Sequence, residues 1–154
     1  MLKRDKLKVI PGRADPAPSD YVLDAQAGFL MRVAMQRHTS IFMSAMIEDL
    51  TQTQFAVMAK LHEVGPCSQN HLGRLVYLDA ATIKGVVDRL GVRGFVTALA
   101  DPTDRRRRAV ALTERGRDVT QAAMVVAAEI TAATLAPLTE DEQRVATLLA
   151  KKLS

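Results

Sequence analysis

Cysteine is nearly absent: Cys67 is the single one in 154 residues, which excludes an intrachain disulfide framework and a cysteine-rich zinc site. Tryptophan is missing altogether, and four Phe with two Tyr are too few for a stacking platform on single-stranded nucleic acid. No apolar run approaches the roughly 20 residues of a membrane-spanning helix. The N-terminus, Met1-Leu2-Lys3-Arg4-Asp5-Lys6, leads into proline and charge instead of an apolar signal core, which points to a cytoplasmic protein with no membrane partner. Also missing are a glycine-rich phosphate loop, a metal motif and an ordered set of nucleophile, base and orienting residue. His38, His62 and His71 lack metal-ligand spacing. An enzyme therefore ranks lowest among the candidate classes, and no cofactor or metal is implied.

What is present describes a core-forming chain. Apolar residues make up 48% and charged residues 25%, and the length suits one domain or one domain with helical arms. The net charge of +4 is modest, but the basic residues cluster, as a polyanion partner requires.

Residues 1–20 hold five basic residues, three acids and three of the six prolines, and read as an extended, partner-embracing arm. From Tyr21 to Asp49 apolar residues recur near helical spacing, predicting one long helix. Thr51-Gln52-Thr53-Gln54 has capping-box form and starts a second helix, which Gly65-Pro66 stops. Ser68 can cap a short helix, and Asp79 another reaching about Arg93, so the pair reads as helix-turn-helix. Gly94 marks an exit. Phe95–Leu99 and Ala109–Leu112 then read as strands flanking Asp101-Pro102-Thr103-Asp104 and four consecutive arginines. Thr113 can cap a long helix to about Ala136, Pro137 breaks it, and Thr139-Glu140-Asp141-Glu142 opens a last one. The expected fold is mainly α with a small β-wing: a winged helix-turn-helix over 51–113, with long helices at 21–50 and 114–154 outside it. In such a fold the second helix fills the major groove while an arginine-rich wing reaches a neighbouring minor groove. Arg105, Arg106, Arg107 and Arg108 alternate sides in an extended hairpin, so about half can face one groove.

Three separated signatures, Leu90-Gly91-Val92-Arg93-Gly94-Phe95-Val96, Asp101-Pro102-Thr103-Asp104-Arg105-Arg106 and Leu112-Thr113-Glu114-Arg115-Gly116, resemble the MarR family of bacterial regulators in order and spacing. The resemblance covers roughly Tyr21 to Leu153. It implies a homodimer whose terminal helices interlock, bound to a pseudo-palindromic duplex DNA and released by a small effector. It also implies that Arg106 enters the minor groove and Asp104 steadies it, with Arg105 and Arg107 beside them. Thr82 and Arg89 fall at the family's polar recognition-helix positions, Ala80, Ala81, Lys84 and Gly85 on its early exposed turns, and Gln69 and Asn70 at the start of the preceding helix, where phosphate is held. Gly91 departs from the family's usual charged residue and puts an intra-domain ion pair in doubt. Asp88 is left out of the site because phosphate repels it.

Family effectors lie between the dimer helices and the winged domain, which makes Met31, Met35, His38 and His62 pocket candidates, with Arg32 or Arg37 to neutralise a carboxylate. The plain reading of Met31, Met35, Met43, Met46 and Met58 is adaptable core packing. The overall pattern is similar to the branch regulating nicotinate and related aromatic-acid catabolism, implying a planar aromatic carboxylate such as a hydroxylated pyridine acid. Cys67 reads as an unreactive small residue, and the first long helix lacks the cysteine of the family's peroxide sensors. The competing class is a protein-interaction module that has kept the winged fold without reading DNA; the basic wing argues against it.

Overall fold

The computed structural model describes residues 21–100, 104 and 108–154. The arm at 1–20 and Arg105, Arg106 and Arg107 lie outside the described residues. Six α-helices and three strands occur among the described residues: α1 (Ala27–Ala45), α2 (Gln52–Val64), β1 (Cys67–Ser68), α3 (Gln69–Leu75), α4 (Ala80–Val92), β2 (Val96–Ala100), β3 (Arg108–Leu112), α5 (Glu114–Leu135) and α6 (Glu140–Leu153). This is the winged helix-turn-helix with long flanking helices that the pattern predicts.

Side chains close the helix starts. Thr51 and Thr139 form reciprocal capping boxes with Gln54 and Glu142, while Ser68, Asp79 and Thr113 each accept an amide of the first turn. Gly94, at φ +75°, takes the chain out of α4 in the left-handed region that a Cβ disfavours.

The expected single helix over 21–49 is divided. A 3-10 turn at Leu23–Ala25 precedes α1, α1 ends at Ala45, and a second 3-10 turn spans Ile47–Asp49. Glu48 and Asp49 sit at φ +55° and +48°, a backbone that breaks helical continuity. The break turns the chain inward, so that Met46 and Leu50 enter the core.

The sheet order is β1-β3-β2, antiparallel throughout. Two strands were expected; the third, β1, joins Cys67 to Val110 and Ser68 to Ala109. One core collects Phe42 from α1, Val57 and Met58 from α2, Leu72 from α3, Ile83 and Leu90 from α4, Phe95, and Ile130 from α5. Each such side chain contributes about 1.5–3 kcal/mol on full burial. Of the five methionines read as core, Met46 and Met58 are buried, whereas Met31, Met35 and Met43 stand exposed on α1.

The two C-terminal helices bend by 107° at their junction. No helix among the described residues is by itself long and apolar enough to cross a membrane. No residue of α6 is fully buried: Leu148, Leu149 and Leu153 are 55%, 51% and 75% exposed.

Candidate DNA-reading face and effector cavity

The recognition helix is built by a division of labour along α4. Ile83, Val86 and Leu90 are buried, which leaves Ala80, Ala81, Thr82, Lys84 and Arg89 exposed on the other side, with Gly85 half-buried between them. Asp79 fixes the start: its carboxylate accepts the Thr82 amide at 2.7 Å. That backbone amide first, then the Thr82 hydroxyl, hold the Asp79 carboxyl below the usual carboxylate range against desolvation, with a lesser contribution from the Ala81 amide.

Both cations of α4 lie along the helix. Lys84 Nζ is 2.6 Å from Asp88 Oδ2, one turn on. The Arg89 guanidinium folds back over Gly85, where a Cβ would sit 3.3 Å from Nη1. The glycine leaves room for that planar group. Asp88, left out of the site as a phosphate-repelling charge, is thus neutralised by Lys84.

Between α3 and the start of β3, Ser68, Gln69 and Asn70 line a polar recess of about 500 Å³ with Arg74 and Arg108. Arg74 and Arg108 were not among the expected contacts. Arg74 lies four residues after Asn70 and so on the same helical side, a signal that was available. Arg108 enters through the sheet, where it pairs with Ala100 at the start of β3. Two guanidinium groups beside side-chain amides and a hydroxyl suit phosphate oxygens. Asp104 is half-buried at the wing.

A second polar cluster ties this face to the rest of the protomer. The Arg93 guanidinium donates to the Glu48 carbonyl, and Glu48 Oε2 lies 3.7 Å from Arg93 Nη2 and 3.8 Å from Arg115 Nη2. The two guanidinium carbons lie 4.7 and 5.0 Å from the Phe95 ring centroid. Glu48, in the turn after α1, thus gives the protein an intra-domain ion pair.

The six expected effector residues do not share one cavity. His38 lines a recess of about 250 Å³ between α1, α2 and α5, together with Phe42, Gln52, Phe55, Ala127, Ile130 and Thr131. Its Nδ1 is 2.9 Å from Thr134 Oγ1, and the Phe42 and Phe55 rings are tilted with centroids 6.2 Å apart. Phe42, Gln52, Phe55 and the α5 residues escaped the sequence reading, because only tertiary packing brings them to His38. Arg37 is absent from this lining; its guanidinium donates to the Thr134 and Ala133 carbonyls, the latter at 2.9 Å, and so caps the end of α5. Met31, Arg32 and Met35 are exposed on α1, with Arg32 over the Phe29 ring at 5.1 Å. His62 lines a different cavity, at the wing root. Cys67 is half-buried in β1, and burial pushes its thiol pKa up, away from the reactive thiolate.

Two tandem helices with an exposed second member, followed by an antiparallel wing, define a winged helix-turn-helix protein. Residues 50–107 match the MarR family. The HTH-type transcriptional repressor NicR of Pseudomonas putida is 35% identical over 147 residues, 95% of this chain and 93% of NicR. A solved protein of Pseudomonas aeruginosa superposes with a TM-score of 0.83 at 46% identity, over 86% of this chain and 100% of that one. BpsR of Bordetella bronchiseptica, whose DNA binding is regulated by 6-hydroxynicotinic acid, gives 0.80 at 35% identity, over 89% and 97%. The chain belongs to the MarR family of DNA-binding, non-enzymatic transcriptional regulators.

Proposed function

We propose that this protein is a homodimeric repressor that binds a pseudo-palindromic operator and releases it on binding a small aromatic acid, of the hydroxylated pyridine carboxylate type. The carrying observation is the α4 face: an exposed row of small and polar side chains, capped by Asp79 and flanked by the Arg74–Arg108 recess and the wing. Thr82 and Arg89 read base edges, Ala80, Ala81 and Gly85 allow close approach, and Lys84 exchanges Asp88 for the DNA. Gln69 and Asn70 hold phosphate. Arg106, steadied by Asp104 and flanked by Arg105 and Arg107, enters the minor groove.

Dimerisation is supported by the apolar surfaces that one protomer leaves uncovered, Leu148, Leu149 and Leu153 on α6 and Leu30, Met31 and Met35 on α1. A twofold assembly sets two copies of α4 about one DNA turn apart, roughly 34–36 Å. The His38 cavity is the effector site this reading favours, since it lies where α1 and α5 meet the winged domain through α2. The effector acts only through a difference in affinity between the operator-competent spacing and the other; equal affinity releases nothing. Met31, Arg32 and Met35 join such a site only across the twofold interface.

The test is a salt-controlled gel-shift series on operator DNA. Affinity should fall steeply with salt, and Arg106→Ala should weaken binding while the dimer stays folded. Addition of 6-hydroxynicotinate should lower operator affinity. Calorimetry without heat of binding, together with an unchanged operator affinity, removes the effector assignment; a salt-independent affinity removes the DNA assignment.

A further inference from the structure

Where the wing meets the protein body, a cavity of about 210 Å³ is enclosed by the end of α2, the wing strands and the first turns of α5. Its walls are apolar, formed by Leu61 and Pro66 from the α2 end, Leu99 from β2 and Leu112 from β3. Two polar groups face it, the His62 imidazole and the Arg117 guanidinium. Arg117 Nη1 donates to the Leu112 carbonyl at 3.2 Å, which fixes the guanidinium at the rim and leaves its other N–H groups available. No ion pair joins Arg117 to a carboxylate among the described residues. Leu99 is 47% exposed, an apolar side chain left at the mouth of the cavity.

An apolar recess with one held, carboxylate-free guanidinium and an imidazole is complementary to a compact anion with an apolar body. The volume is below the roughly 300–1,000 Å³ of sites for drug-sized ligands, so the fitting class is a single ring or a short branched chain bearing one carboxylate. We propose that this wing-root cavity is a binding site for a monocyclic carboxylate, separate from the His38 cavity. Its occupant packs its ring against Leu61, Leu99 and Leu112 and places its carboxylate between Arg117 and His62. It thereby bridges both wing strands to α2 and α5. The cavity shares no lining residue with the His38 cavity, so the two sites can be filled and tested independently.

The probe is benzoate, with benzamide as its neutral isostere, titrated into the full chain carrying methyl-labelled leucine, isoleucine and alanine and followed by NMR, so that Leu99 and Leu112 report on this cavity and Ala127 and Ile130 on the His38 cavity. The Leu99 and Leu112 methyls should shift saturably with benzoate at concentrations roughly tenfold lower than with benzamide. Arg117→Gln should abolish that preference and Arg117→Lys should keep it. Leu99→Trp, which fills the mouth, should remove the Leu112 response while leaving any response of Ala127 and Ile130 in the His38 cavity intact. Equal response to benzoate and benzamide overturns the proposal. So do shifts confined to the His38 cavity, which would leave the effector reading there standing. Should Arg117→Gln fail to fold, the benzoate–benzamide comparison in the parent chain and Leu99→Trp still decide.

Discussion

Replacing Gly116 by alanine should destabilise the protein by an amount that the backbone geometry sets. A Cβ at 116 would lie 1.9 Å from the Phe95 carbonyl oxygen, 2.8 Å from its carbon and 3.2 Å from its Cα, whereas real Cβ contacts essentially never fall under 3.0 Å. The first turn of α5 would have to move by about 1.1 Å, because the obstacle is backbone. Phe95 cannot yield: its side chain is fully buried, and its carbonyl accepts the Thr113 amide at 3.0 Å. Overpacking costs roughly 1–3 kcal/mol, and a backbone clash belongs at the top of that range. Alanine returns about 1 kcal/mol of helix propensity, leaving a net loss of ~2 kcal/mol and a melting temperature lowered by roughly 4–8 °C. Gly91→Ala is the internal control, since a Cβ there meets nothing within 4 Å on an exposed helical position. It should gain about 0.5–1 kcal/mol and melt ~2–3 °C higher. Circular-dichroism melts at one protomer concentration compare the three proteins. A Gly116→Ala melting point within about 1 °C of the parent, or a Gly91→Ala melting point below it, refutes the packing argument.

Two other perturbations test separate parts of the account. The Asp79 carboxyl is depressed by the Thr82 amide first, so the stability it contributes is present above the ordinary carboxylate range and lost as pH falls through that range to the lower folded value. The stability gap between parent and Asp79→Ala, read from denaturant titrations, should be constant near neutrality and close on acidification; a gap that persists at the acid end contradicts the capping assignment. Leu148→Glu with Leu149→Glu should convert the proposed dimer to a helical monomer in analytical ultracentrifugation, because α6 has no buried residue of its own to lose. An intact dimer would place the interface on another surface.

The features visible in the sequence are the ones whose physics is local. Thr51, Ser68, Asp79, Thr113 and Thr139 each answer amides within three residues, so five helix starts were legible at their residues. The buried side of α4 followed from the same short-range periodicity, and its outward residues from the family resemblance. The break at Met46 was not legible: apolar spacing continues through Ile47, and the left-handed Glu48 is held by Arg93 and Arg115, 45 and 67 residues further along the chain. Arg37, one of two candidates with Arg32 to neutralise a carboxylate, caps α5 across 96 and 97 residues of chain. Likewise β1 is two residues long and carries no alternation; its strand character comes from Val110 and Ala109. In the candidate site the grouping was not legible, since the division of His38 and His62 between two cavities is a product of helix packing.

The two-residue pairing of Cys67 and Ser68 with β3 has a mechanical corollary. It staples the start of α3 to the base of the wing, while Thr113 is bonded to the Gly94 and Phe95 carbonyls where α4 gives way to β2. In the proposed dimer each winged half is consequently a closed frame, like one jaw of a pair of callipers. On that proposal, opening the arms would alter the gap between the jaws and leave the shape of each jaw as it was, so a displaced regulator would keep its grip geometry and lose only its gauge.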